Sequence, residues 1–258
     1  MSWAGRRQFT YLTGLIFVVA LILFVLFYNV IFKAPNCNDN IQNGSELGVD
    51  CGGLCMKFCS AQVSEPVVLW SRAFHVSGSS YNVLAYIENQ NKNGGAVDVP
   101  YEFRVYDQDG ILIATRAGKT FIPPNQRFAV FESRIDVGNS IPKSVTFDFQ
   151  GKFFWYKKEP TIQTQPIKIQ NKVLSDDSGS PIITADVVND SVYDLPAFNV
   201  IAIVYDENHN AIGVSSTHAE GVKSNGKFPI SFTWPEPFNG KPVLQDLLLS
   251  VDPFTTPF

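Results

Sequence analysis

The sequence predicts a mainly β protein in which one amino-terminal transmembrane helix precedes two tandem β-sandwiches. Three observations carry this. The 258 residues hold 21 Phe and 9 Tyr against 2 Met, with 18 Gly and 16 Pro, a mixture that suits pleated strands and tight turns. One uncharged apolar run lies near the start. A frame of strands then recurs at an offset of 99 residues, the size of one sandwich.

The apolar run, "LTGLIFVVALILFVLFYNVIF" from Leu12 to Phe32, holds no charged residue. As a helix rising 1.5 Å per residue it reaches roughly 31 Å, against about 30 Å for a bilayer core. Only a helix satisfies every backbone N–H and C=O inside lipid, so its β-branched residues do not argue for a strand. A cleaved secretory signal is the competing reading. The run is longer than a signal's apolar region, and "YNVIFKAP" after it offers no small-x-small cleavage site, which favours an uncleaved anchor. Arg6 and Arg7 precede the run and Lys33 follows it, so the positive-inside rule keeps residues 1–11 cytoplasmic and sends the rest outside.

Residues 34–258 carry 17 basic and 24 acidic side chains, a formal charge of −7. Nucleic-acid binding needs a basic surface that releases counterions, and no Lys/Arg stripe is present. The expected partners are therefore the membrane and an envelope component or protein.

All four cysteines, Cys37, Cys51, Cys55 and Cys59, lie in "CNDNIQNGSELGVDCGGLCMKFC", within a stalk over 33–62. In an exported segment thiols oxidise and persist as disulfides, and four cysteines allow three pairings. Cys51, Cys55 and Cys59 are too crowded for all to pair locally, so one of them closes the longer loop to Cys37. Two other readings stay open. Zinc or copper on thiolates would need a reduced setting. Calcium could use the oxygens of Asp39, Asn43, Glu46 and Asp50, although the spacing is not an EF-hand loop.

The two sandwiches are expected over 63–156 and 166–258, joined by a polar, proline-bearing linker over 157–165. In the first, Tyr101, Phe103 and Val105 alternate with Glu102 and Arg104, the period of two of a strand with one buried face. "DQDG" supplies a hairpin turn before "ILIAT". In the second, "AFNVIAIVY" is apolar at nearly every position, as in a strand covered on both faces. Closing strands are expected at Val145 to Trp155 and Val243 to Val251. Each copy yields six or seven short strands.

Two resemblances accompany this reading. The cysteine segment resembles a motif of secreted and surface proteins, C-x-D-G-x-x-N-x-x-E-x-x-x-D-C-G-G-x-C-x-x-C. It departs from it at Asn40, where glycine is usual, and in the three residues between Cys55 and Cys59. The stretches "IENQNKNGGAVDVPYEFRVYDQDGILI" and "VNDSVYDLPAFNVIAIVYDENHNAIG" resemble FxLYD-type domains, small immunoglobulin-like sandwiches of bacterial cell surfaces. That resemblance implies a non-catalytic extracytoplasmic module.

Catalytic constellations are not evident. His75, His209 and His218 are the imidazoles, and no G-x-S-x-G or phosphate loop occurs. The acidic pairs Asp107/Asp109, Asp176/Asp177 and Asp206/Glu207 fall in turns, where such residues commonly cap their own backbone. Phe153, Phe154, Trp155 and Tyr156 are read as sandwich aromatics rather than a carbohydrate site. The expected role is a membrane-anchored binding or structural protein without enzymatic activity. The alternative is an accessory subunit of a membrane-embedded secretion or pilus complex.

Overall fold

Alternation in the sequence becomes thirteen strands in a computed structural model that describes residues 3–31, 36–158, 167–175 and 179–254. Most of the expected linker, the pair Asp176/Asp177, Lys33 and Phe258 fall outside the described residues. The chain divides into two units, Met1–Met56 and Lys57–Phe258.

In the first unit, α1 (Trp3–Ile31) contains a span from Gly5 to Tyr28 long and apolar enough to cross a membrane, with mean hydropathy 2.6. None of that span is buried against protein. Thr10 and Thr13 donate their hydroxyls to the carbonyls of Arg6 and Phe9, which satisfies them within the helix.

In the second unit, β1 (Val67–Ser77), β2 (Ser80–Asn89) and β5 (Gln126–Asp136) form an antiparallel sheet in the order β1-β2-β5. It faces a sheet in the order β4-β3-β6, built from β3 (Gly94–Tyr106), β4 (Leu112–Ile122) and β6 (Ser144–Phe149). The short β7 (Trp155–Lys157) also pairs with β3. The single closing strand expected over Val145 to Trp155 is thus two strands. Gly151, at φ 64°, turns the chain between them.

The same order recurs seven strands later. β8 (Ile167–Ser175), β9 (Ile182–Asn189) and β12 (Gly226–Thr233) form β8-β9-β12, and β10 (Phe198–Tyr205), β11 (Ala211–Ala219) and β13 (Leu244–Ser250) form β11-β10-β13. Even the irregularities repeat. The β3–β4 ladder slips between Val105 and Tyr106, and the β10–β11 ladder slips between Val204 and Tyr205. Asn89 and Asn189, buried at the ends of β2 and β9, donate their amides to the carbonyls of Gly94 and Pro123, and of Tyr193, Val222 and Lys223. Each thereby supplies donors to loop carbonyls that would otherwise be buried unpaired.

Each sandwich has its own core, the first around Phe103 and Ile87 and the second around Phe232 and Val200. A third core joins them. Phe74, Leu84 and Ala129, on the outer face of β1-β2-β5, pack against Ile201, Ile203, Tyr205 and Val214 of β10 and β11. Hence β10 is buried on both faces from Val200 to Tyr205, as its apolar run there requires.

Comparison of equivalent positions explains which faces meet. On the outer face of β4-β3-β6, Glu102, Arg104 and Asp148 form an ion-pair cluster; the positions equivalent to them in β10 and β13 are Ile201, Ile203 and Leu248, all in the third core. Leu84 and Phe131 of that core correspond to exposed Thr184 and Ser231 in the second sandwich. Each repeat therefore has one apolar and one polar outer face, with the choice reversed between them. Truncating the fully buried Leu84 to Ala should cost about 2–5 kcal/mol in urea unfolding, whereas Thr184→Ala should stay within about 0.5 kcal/mol.

Candidate functional site

Turn geometry organises the cysteine segment. Asn40, Gly44, Asp50, Gly52 and Gly53 all adopt positive φ, so the asparagine that stands where the motif has glycine takes a conformation it tolerates. A Cβ on Gly53 would lie 1.8 Å from the Ser45 carbonyl oxygen, so only glycine fits there. Cys37 bonds Cys55, with Cα atoms 5.6 Å apart, and Cys51 and Cys59 are disulfide-bonded as well. No cysteine is free. Closing the 18-residue separation stabilises the segment by about 3 kcal/mol in the chain-entropy model.

Asp39, Asn43, Glu46 and Asp50 are brought together inside this clamp. The three carboxylates accept groups of the chain itself, while Asn43 Oδ1 is buried without a hydrogen-bond partner among the described residues. Asp50 Oδ1 accepts the N–H groups of Asp39 (2.8 Å) and Asn40 (3.1 Å), Asp39 Oδ1 accepts that of Ile41, and Glu46 Oε2 accepts that of Asn43. Asn43 donates its amide to Asp39 Oδ2. Ligand-type atoms of Cys37, Glu46 and Cys55 lie within 4.8 Å of one another, but disulfide sulfurs are not thiolate ligands. The arrangement fixes turns.

The turns after β3 and β10 use their acids in the same way. Asp107 Oδ1 accepts the N–H groups of Asp109 and Ile111, and Asp206 Oδ1 accepts those of Asn208 and Asn210. The Asn210 N–H holds the Asp206 carboxyl below the usual carboxylate range. His209 occupies the place of Gly110, at φ 60° against 75°.

The other imidazoles are structural in their contacts. His75 places Nδ1 3.0 Å from Glu236 Oε2, across the junction of the sandwiches, and Nε2 3.0 Å from the Gly78 carbonyl oxygen. His218 Nδ1 lies 2.9 Å from Asn199 Oδ1. Among the described residues, no imidazole hydrogen-bonds a hydroxyl or thiol, so a nucleophile–base pair is missing there.

The aromatic stretch divides as strand alternation requires. Phe153 and Trp155 join the first core, Phe154 is exposed beneath the Lys57 ammonium, and Tyr156 meets Phe254 edge-on. Phe254 also packs over Gly95, where a Cβ would stand 3.0 Å from its ring. The residues after β13 thus fasten the second sandwich to the first. Close by, burial lowers the Lys158 pKa and Asp252 opposes the shift.

Beside the third core lies a feature that sequence reasoning missed, a cleft of about 1030 Å³ with walls from both sandwiches. Its polar residues are mostly ordinary strand serines, threonines and asparagines. They become a site only because the two sheets meet face to face.

No family model and no curated protein matches the chain. Among solved structures, red sea bream transglutaminase is 12% identical at a TM-score of 0.25, over 74% of this chain and 29% of its own. A putative β-galactosidase from Bacteroides fragilis is 12% identical at a TM-score of 0.21, over 70% of this chain and 34% of its own. The chain spans about a third of the length of either, and at these scores the likeness carries no argument.

Non-reducing peptide mapping should join the peptides of Cys37 and Cys55 and find no free thiol. Four alkylatable thiols in freshly isolated, unfolded protein would contradict the clamp. Replacing His209 by Gly should raise stability by about 0.5–1 kcal/mol, because glycine adopts positive φ without a steric penalty; an unchanged or lower urea midpoint would refute that turn account.

Proposed function

We propose that this chain is a membrane-anchored extracytoplasmic protein of binding or structural role, presenting two immunoglobulin-like β-sandwiches at the cell surface. The observation that carries the reading is α1, an apolar helix with no part of its span buried against protein. Exposed Leu, Ile, Val and Phe along such a length are costly in water and favourable in lipid.

Oxidised cysteines a few residues beyond the helix support the outward orientation, since disulfides persist in oxidising compartments. Arg6 and Arg7 on the other side agree with it. A non-catalytic role is supported by the use of the acids and imidazoles in turns and junction contacts.

Protease added to intact cells, followed by detection of a carboxyl-terminal epitope, tests the orientation. The epitope should be lost without opening the cells. Survival until lysis would reverse the topology and remove the surface role.

A further inference from the structure

We propose that the cleft between the two sandwiches binds a saccharide carrying an anionic group, of the uronic or sulfated kind. Its volume, about 1030 Å³, stands at the upper end of small-molecule sites, near 300–1,000 Å³. The first sandwich contributes Ser77, Ser80 and Ser133 to the walls, and the second contributes Ser215, Ser216 and Thr217. None of these six hydroxyls is engaged by another protein group among the described residues. Hydroxyls that both donate and accept match the vicinal diols of a sugar ring.

Charge selects among sugars. The exported part is acidic overall, yet no carboxylate lines the cleft. Arg134 does line it, and its guanidinium has no ion-pair partner among the described residues. At the other end His218 lies with Nδ1 held by Asn199; the nearest carboxylate is the exposed Glu220, 3.7 Å from Nε2. A free guanidinium fork beside hydroxyls recognises carboxylate or sulfate oxygens. Phe131 and Ile182 offer apolar surface to the C–H face of a ring.

The walls are held in place before any ligand arrives. Asn82 accepts the Arg134 N–H at Oδ1 (3.1 Å) and donates from Nδ2 to the Val214 carbonyl of the opposite sandwich (3.4 Å). Trp234 Nε1–H donates to that same carbonyl (3.2 Å). A site prepared in this way spends little binding free energy on ordering.

This inference deepens the binding role proposed above, and its test is independent of membrane topology. The full chain in detergent micelles is titrated calorimetrically with a sulfated disaccharide, a uronic-acid disaccharide, their neutral parent and inorganic sulfate. At least one acidic disaccharide should bind about tenfold or more tighter than the neutral parent, a difference of about 1.4 kcal/mol. Arg134→Gln should bring it down to the level of the parent, and Ser216→Trp should fill the cleft and abolish both, with the urea midpoint of each variant showing that it folds. The proposal is overturned if neither acidic disaccharide binds by about 10 mM, a bound no tighter than about −3 kcal/mol. It is equally overturned if inorganic sulfate alone matches the disaccharides, or if folded Arg134→Gln and Ser216→Trp bind as the original chain does.

Discussion

The contact between Leu84 and its neighbours on one sheet and Ile201 and Ile203 on the other is the constraint from which the arrangement of the second unit follows. Each sandwich closes its own core. Burying the outer face of β1-β2-β5 against β11-β10-β13 stacks four sheets and turns two modules into one body. The same contact buries Tyr205, whose phenol is pushed up first by burial and then by Asp246. It also creates the cleft along its side, and the docking of Phe254 on Gly95 and Tyr156 reinforces it from the end of the chain.

Much of this was legible in the sequence, for physical reasons. Period-two alternation in Tyr101–Val105 marks a strand with one face buried, and the offset between the two Tyr-Asp turns marks a repeated unit. The continuous apolar run of β10 pointed to burial on both faces. What covers it was not legible, because the partner face is scattered over β1, β2 and β5, where Leu84 and Phe131 directly follow Val83 and Val130 of the strands' inner face and read as part of one apolar run. The break between β6 and β7 was hidden for a similar reason. Gly151 is one turn residue in a stretch whose aromatics read as continuous strand. The cleft left no sequence signal, since serines and threonines at outward strand positions look like any solvated edge.

The cysteine segment shows the opposite balance. Its residue types announced a clamp, while the pairing was open among three arrangements until the structure joined Cys37 to Cys55. The acids that offered calcium ligands on sequence also accept backbone N–H groups, a demand set by turns with positive φ. A segment this small has little apolar surface to bury, so covalent closure and carboxylate-to-backbone bonds replace a core.

The two mating sheets are different faces of the same repeated fold, so their union is heterologous. The outward sheets are polar instead: ion-paired Glu102, Arg104 and Asp148 lie on one, and Thr184, Asp186 and Ser231 on the other. Polarity on the outward sheets thus directs the apolar faces to each other, fixing which sheet of each sandwich meets its neighbour.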